Sequence, residues 1–202
     1  MTEKMLKHNE IILKYNEDYN TNIKIYFINT NQDFYLHKNK SINISLLNYN
    51  DQCPKDELNF IFGYLLGLAD FNRKYLTIKY IILTILIIFS ILSFLFSYLI
   101  LFIYILLFII LFNLIFNHIN IIYCDFYTCK LFKTKINSLN KKKELIYSVI
   151  DKTGNNKLQY YNKIYNGILY PSYDRRIKLI NNFNLDYELN FFIILLFALR
   201  WW

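Results

Sequence analysis

Metal binding, nucleophilic attack and proton transfer fall in this chain to three histidines, three cysteines and fifteen acids, and their spacing is poor for all three tasks. A zinc-binding helix needs two imidazoles four residues apart, so that both face one ion. No two of His8, His37 and His118 stand in that relation. His8 lies in the N-terminal segment, His37 in a Lys-rich loop and His118 at the end of an apolar block, so solvated or interfacial roles are expected. Cys53, Cys124 and Cys129 are too few for a disulfide framework. Cys124 and Cys129 are spaced C-x4-C with no second pair to complete a zinc site, which points to small buried residues. No glycine-rich phosphate loop, Gly-x-Ser-x-Gly elbow or dinucleotide fingerprint is present. Lys141-Lys142-Lys143 reads as a solvated or lipid-facing charge run. Tyr160 and Tyr161, beside Lys157 and Lys163, are of the type that stacks on RNA, but in a chain with 19 tyrosines that juxtaposition carries little weight.

The elements that would position these residues are legible from periodicity. Residues 1–20 read as an amphipathic helix with Ile11, Ile12 and Tyr15 on one side. Residues 24–29 read as a strand, and 34–36 and 41–47 as two more, with Ile42, Ile44 and Leu46 alternating. A helix begins near Lys55, with Asp56 and Glu57 in its first turn where the dipole favours acids. From Tyr80 to Asn117 there is no charge at all. A bilayer core needs about 20 apolar residues per helix, and a single helix of this run would be about 57 Å long, so two crossings are expected, turning within 93–98, the alternative being one long helix, tilted or buried in protein. Arg73, Lys74 and Lys79 precede the block, and Lys130, Lys133, Lys135 and Lys141 to Lys143 follow it, which puts both ends on the inner side. Residues 123–135 and 142–151 look helical, and 153–156 form a turn. Pro171-Ser172 opens a short helix through Ile180. Residues 189–199 are apolar but too short to span; they are expected to form a buried terminal helix, a partner contact or an interfacial anchor, ending at Arg200-Trp201-Trp202.

Composition bounds the partners. The chain has 202 residues, enough for one domain of moderate size, and is 55% hydrophobic, high for a soluble protein. Ile, Leu, Phe, Tyr, Asn and Lys dominate, and Lys far exceeds Arg, a bias of very AT-rich coding that points to a protist mitochondrial gene. The net charge of +8 suits anionic lipid or nucleic acid. Because the lysines flank an apolar block, juxtamembrane charge is the simpler reading, and no nucleic acid is expected. The N-terminus is neither a signal peptide nor an Arg-rich transit peptide, which synthesis inside the organelle would explain.

Four stretches, in order, resemble one family. Residues 25–28 and 41–47 look like a short sheet preceding a zinc helix. Asp56-Glu57-Leu58 followed by Gly67 is similar to that helix. Tyr123-Cys124-Asp125-Phe126 falls where a Glu-x-x-x-Asp motif stands. Tyr170-Pro171-Ser172-Tyr173-Asp174-Arg175-Arg176-Ile177 is similar to a C-terminal His-Pro-Pro/Ser-x-x-x-Arg-Ile/Val motif. Together, over roughly residues 22–180, they resemble the integral-membrane gluzincin metallopeptidases: the CAAX prenyl endopeptidase, the bacterial heat-shock membrane protease and a mitochondrial inner-membrane stress protease. The resemblance implies an α+β membrane protein, mostly helical, with a small sheet before a degenerate zinc helix and a transmembrane hairpin. It implies three parts: residues 1–74 (amphipathic helix, sheet and degenerate peptidase helix), 75–120 (hairpin) and 121–202 (C-terminal helical part with an apolar tail).

The departures from that pattern decide the expected function. Tyr64, Leu65, Leu68 and Ile121 stand at the positions of the His, Glu, His and Glu that bind zinc and take the proton. Tyr170 replaces a His; Asp125 and Arg176 match. A catalytic zinc needs about three protein ligands and a carboxylate base, and a Tyr phenol titrates near 10. The expectation is therefore a non-enzyme with no metal and no cofactor, its site refilled as ordinary core. It is expected to serve as a structural or accessory subunit of a large mitochondrial inner-membrane complex, a respiratory-chain complex or the ATP synthase, with its soluble parts facing the matrix. Its partners would be the other subunits and membrane lipids, anionic ones among them. The alternatives are a free-standing pseudoprotease that assists assembly or proteostasis, and an organelle ribosomal protein. The uncharged run carries no acid, so a direct part in proton pumping is not expected.

Overall fold

The computed structural model describes residues 3–28, 34–37, 41–45, 55–133, 171–184, 186 and 188–200. Helix α1 (Glu3–Tyr19) leads into strands β1 (Lys24–Ile28), β2 (Phe34–His37) and β3 (Ser41–Ser45). Two long helices follow, α2 (Lys55–Leu95) and α3 (Leu99–Phe132), then two short ones, α4 (Tyr173–Asn182) and α5 (Phe191–Arg200). The described chain is mostly helical, with one small sheet. The expected helix at 142–151 and turn at 153–156 lie outside the described residues, as do Cys53, Tyr160, Tyr161 and Tyr170.

The sheet has the order β1-β3-β2. β3 is central, parallel to β1 (Ile25 opposite Ile42) and antiparallel to β2 (Leu36 opposite Ile42). Ile42 is fully buried, which anchors the register, because a one-residue slip would turn this side chain to the other face. It joins Ile12 and Tyr15 of α1, Ile23, and Phe60, Leu65, Leu66 and Ala69 of α2 in one apolar cluster. A second cluster gathers Phe71, Phe116, Ile119, Ile122, Tyr123 and Phe126 with Leu179, Phe183 and Ile194 from α4 and its flank and from α5. The Phe126 and Phe183 rings stack at 4.0 Å.

Both long helices run straight through the ends of the uncharged block. The stretch 55–79 and the first crossing form one helix of 41 residues, and the helix expected at 123–135 is the last part of a 34-residue α3. No proline interrupts either one, so the hydrogen-bond ladder continues. The hairpin turn falls at residues 96–98, where Tyr98 N–H reaches Ser93 O at 2.8 Å. Ser97 adopts a left-handed φ of 62°, so the turn forms without the glycine that usually occupies such a position.

At about 1.5 Å per residue the two helices are about 62 and 51 Å long, well beyond the ~30 Å of a bilayer core. Each therefore has a distal half and a half packed into the compact head. Between Ile78 and Leu111 the distal halves expose large apolar side chains such as Ile88, Phe94, Leu101 and Phe108. Only 11% and 6% of their most apolar windows are buried, unlike the core helices of a soluble protein. Each such side chain left in water forgoes about 1.5–3 kcal/mol. Polar side chains within these halves bond their own backbone: Thr84 Oγ1 donates to Tyr80 O (2.9 Å), Ser93 Oγ to Phe89 O (2.8 Å) and Asn113 Nδ2 to Ile109 O (3.0 Å). That is how polar groups are satisfied where water is absent. α2 and α3 are two candidate membrane-spanning helices.

Candidate functional site

Three side chains singled out in the sequence meet in the head. α2 contributes Tyr64, α3 contributes Asp125 and α4 contributes Arg176. Arg176 Nε donates to Asp125 Oδ2 at 2.8 Å and Nη2 to Oδ1 at 2.6 Å, a two-pronged ion pair. Both residues are buried. The Arg176 guanidinium lies 5.7 Å from the centre of the Tyr64 ring. α4 is positioned locally by Ser172, whose hydroxyl caps the helix by accepting from Arg175 N at 3.4 Å. Ile177 and Leu179, each within three residues of Arg176, are buried in the two apolar clusters and fix the helix face.

The remaining positions carry no such chemistry. Leu65 is core, packed with Ile12, Ile42 and Phe60, while Leu68 and Ile121 are half-buried. None of Tyr64, Leu65, Leu68 and Ile121 offers an imidazole, thiolate or carboxylate, and both oxygens of Asp125 are held by Arg176. These residues do not fit a zinc ion, which needs three or four such ligands. Among the described residues no three His, Cys, Asp or Glu side chains converge. Cys124 and Cys129 are free thiols, both buried, as small apolar residues would be.

Close approach of α2 and α3 makes this arrangement possible. A Cβ on Gly63 would lie 2.7 Å from Thr128 Cγ2, and one on Gly67 would lie 3.1 Å from the Cys124 Cα. The small-x-x-x-small spacing lets the two backbones touch. It is visible in the sequence, but on its own does not say what passes over it.

A second polar cluster went unread in the sequence, where Arg73 and Lys74 pass for juxtamembrane charge. Asp70 is fully buried. Its Oδ1 pairs with Arg73 Nη2 at 2.8 Å and its Oδ2 with Lys74 Nζ at 2.7 Å. Tyr15 OH of α1 donates to Oδ1 at 3.2 Å, and Tyr123 OH of α3 donates to Oδ2 while accepting from Lys74 at 3.1 Å. One carboxylate thus ties α1, α2 and α3 together. The Arg73 guanidinium also lies over the Tyr19 ring at 4.2 Å. Burial first, then the charge of Asp70, push the Tyr15 phenol up, so it remains a donor. The spacing Asp-x-x-Arg-Lys was the available signal, since i+3 and i+4 share a helix face; the two tyrosines come from distant parts of the chain. Beside this cluster opens a cleft of about 400 Å³ lined by Tyr19, Lys74, Tyr123, Tyr127, Lys130 and Glu188, among others.

The histidines depart from expectation: His37 closes strand β2, opposite Ser41, rather than lying in a loop. His8 is buried: its ring stacks on Phe62 at 4.3 Å and its Nε2 is 3.0 Å from Asn59 Oδ1. His118 is likewise buried rather than solvated. For His8, helix packing brings Asn59 and Phe62 from α2, which local sequence does not reveal.

No protein family, no curated protein and no solved structure matches this chain.

Proposed function

We propose that the protein is a non-catalytic membrane subunit: a peptidase-like scaffold whose site has become structural, built into a large complex of the mitochondrial inner membrane, a respiratory-chain complex or the ATP synthase. The carrying observation is the buried pair Asp125–Arg176. It sits where the resemblance places a metallopeptidase centre, yet it satisfies itself, and Leu65 is packed in the apolar core. An isolated buried charge is a poised reagent; a two-pronged pair with matched partners is a clamp between elements. Here the clamp holds α4 against α3. The two candidate spans, the basic residues at both ends of the hairpin and the AT-rich composition support an inner-membrane setting with the head in the matrix.

The exposed face of α5 adds a reason to place the chain in an assembly. Ile194 is buried against α3, while Phe192 and Leu196, one turn apart, are largely exposed. Native-gel complexome mass spectrometry of gently solubilised mitochondrial membranes tests the proposal. Comigration at constant stoichiometry with one respiratory or ATP-synthase complex is the expected result. A small or heterogeneous species would replace it with the free-standing assembly-factor reading, and comigration with ribosomal proteins would overturn both.

A further inference from the structure

The cleft beside Asp70 has the level, charge and donors of an anion site. Lys74 precedes the uncharged run by six residues and Tyr123 follows it by six, so both stand about 9 Å above its ends. The headgroup region on each side of a bilayer is about 5–8 Å deep. The cleft therefore opens at the outer edge of that region whenever the uncharged run fills the hydrocarbon core. Its charge is unbalanced. Among the described residues, Asp70 is shared by two cations, Arg73 and Lys74, leaving one positive charge in excess, while Lys130 and Glu188 on the rim are of opposite sign. Tyr19 and Tyr127 line the cleft with phenols. A volume of about 400 Å³ falls within the ~300–1,000 Å³ of small-molecule sites. Below it, Ile78, Ile81 and Ile85 form an exposed apolar track along α2.

We infer that this cleft binds the phosphate of an anionic membrane lipid. Lys74 and Lys130 contact the phosphate, the phenols donate to it, and the acyl chains lie along the apolar track. Basic pockets between membrane helices suit this chemistry. A free phosphate ester has the same recognition chemistry, but it cannot use the track. The inference rests on the hairpin spanning the bilayer, and does not depend on which complex holds the protein.

The test uses the full-length protein in a non-ionic detergent, titrated with short-chain phosphatidylglycerol, phosphatidylcholine or glycerol 3-phosphate and read by native mass spectrometry. Phosphatidylglycerol is expected to bind most tightly. Lys130 and Glu188 are exposed, so their variants should fold. Lys130→Gln should weaken phosphatidylglycerol binding and Glu188→Gln should tighten it, each about 2- to 5-fold, the size of one partly screened charge at this range. Equal binding of phosphatidylcholine, or no response to either variant, overturns the site. Equal binding of glycerol 3-phosphate overturns its assignment to lipid. Alkaline carbonate extraction of membranes separates this from the underlying reading: a protein released by carbonate overturns the spanning hairpin itself, whereas a retained protein that binds no anionic lipid overturns only the cleft.

Discussion

At the scale of single residues, the Asp125–Arg176 pair separates a structural role from a chemical one. Removing one partner leaves the other charged and buried, which costs about 3–5 kcal/mol. Arg176→Met alone should therefore destabilise the head strongly. Asp125→Leu combined with Arg176→Met should recover most of that loss, because apolar replacements of a whole buried pair are commonly near neutral. Chemical unfolding in detergent, followed by tryptophan fluorescence, checks both. A double variant no more stable than the single one would contradict the clamp. His8 gives a pH prediction. Burial, opposed by the Asn59 hydrogen bond and reinforced by Lys7, lowers its pKa below the ordinary 6.5. The unfolded chain then takes up a proton that the folded chain refuses, so stability is lost as pH falls below about 6.5. Amide exchange across α1, corrected for intrinsic rates, should quicken between pH 7.5 and 5.5, and His8→Gln should flatten that dependence.

At the scale of elements, the contact between α2 and α3 rests on two glycines. Gly67→Leu would drive a side chain into the Cys124 backbone and the Tyr127 side chain. Forcing extra atoms into such a contact costs about 1–3 kcal/mol, and the displacement also disturbs Asp125 on the adjoining residue. A lowered thermal midpoint in detergent, with a larger drop for Gly67→Leu than for Gly67→Ala, is the expected outcome. The Asp70 cluster acts at the same scale, because its hydrogen bonds come from α1, α2 and α3 together.

At the scale of the whole molecule, a compact head with its apolar core inside and a hairpin with its apolar side chains outside make different demands of their surroundings. The head pairs its buried acids, Asp70 and Asp125, with cations of its own; the hairpin exposes Ile87, Phe94, Ile103 and Phe108 along its length. With basic residues flanking both ends, the turn at Ser97 should lie on the far side of the membrane from Lys74 and Lys130. In sealed membrane vesicles, a reporter cysteine replacing Ser97 should react with an impermeant maleimide from the side opposite to one replacing Lys133. Labelling of both from one side would mean that the hairpin does not cross.

Periodicity alone determined much of the architecture. Short apolar runs marked the strands, with alternation in the third, a helical stripe marked α1, and the absence of charge over 38 residues, from 80 to 117, marked two long apolar helices. These features are local: each depends on neighbours two to four positions away, or on transfer free energy summed along a segment. Asp125 and Arg176 were also legible as motif positions, as were Tyr64, Leu65, Leu68 and Ile121 as residues without zinc chemistry. Only the tertiary structure decided what they touch. Asp125 and Arg176 are 51 residues apart, as are His8 and Asn59, and Tyr15 is 55 residues from Asp70. The burial of His8, the burial of Asp70 between the hydroxyls of Tyr15 and Tyr123, and the cleft beside them arise when separate helices dock. A charge on one helix carries no record of which partner another helix will bring to it.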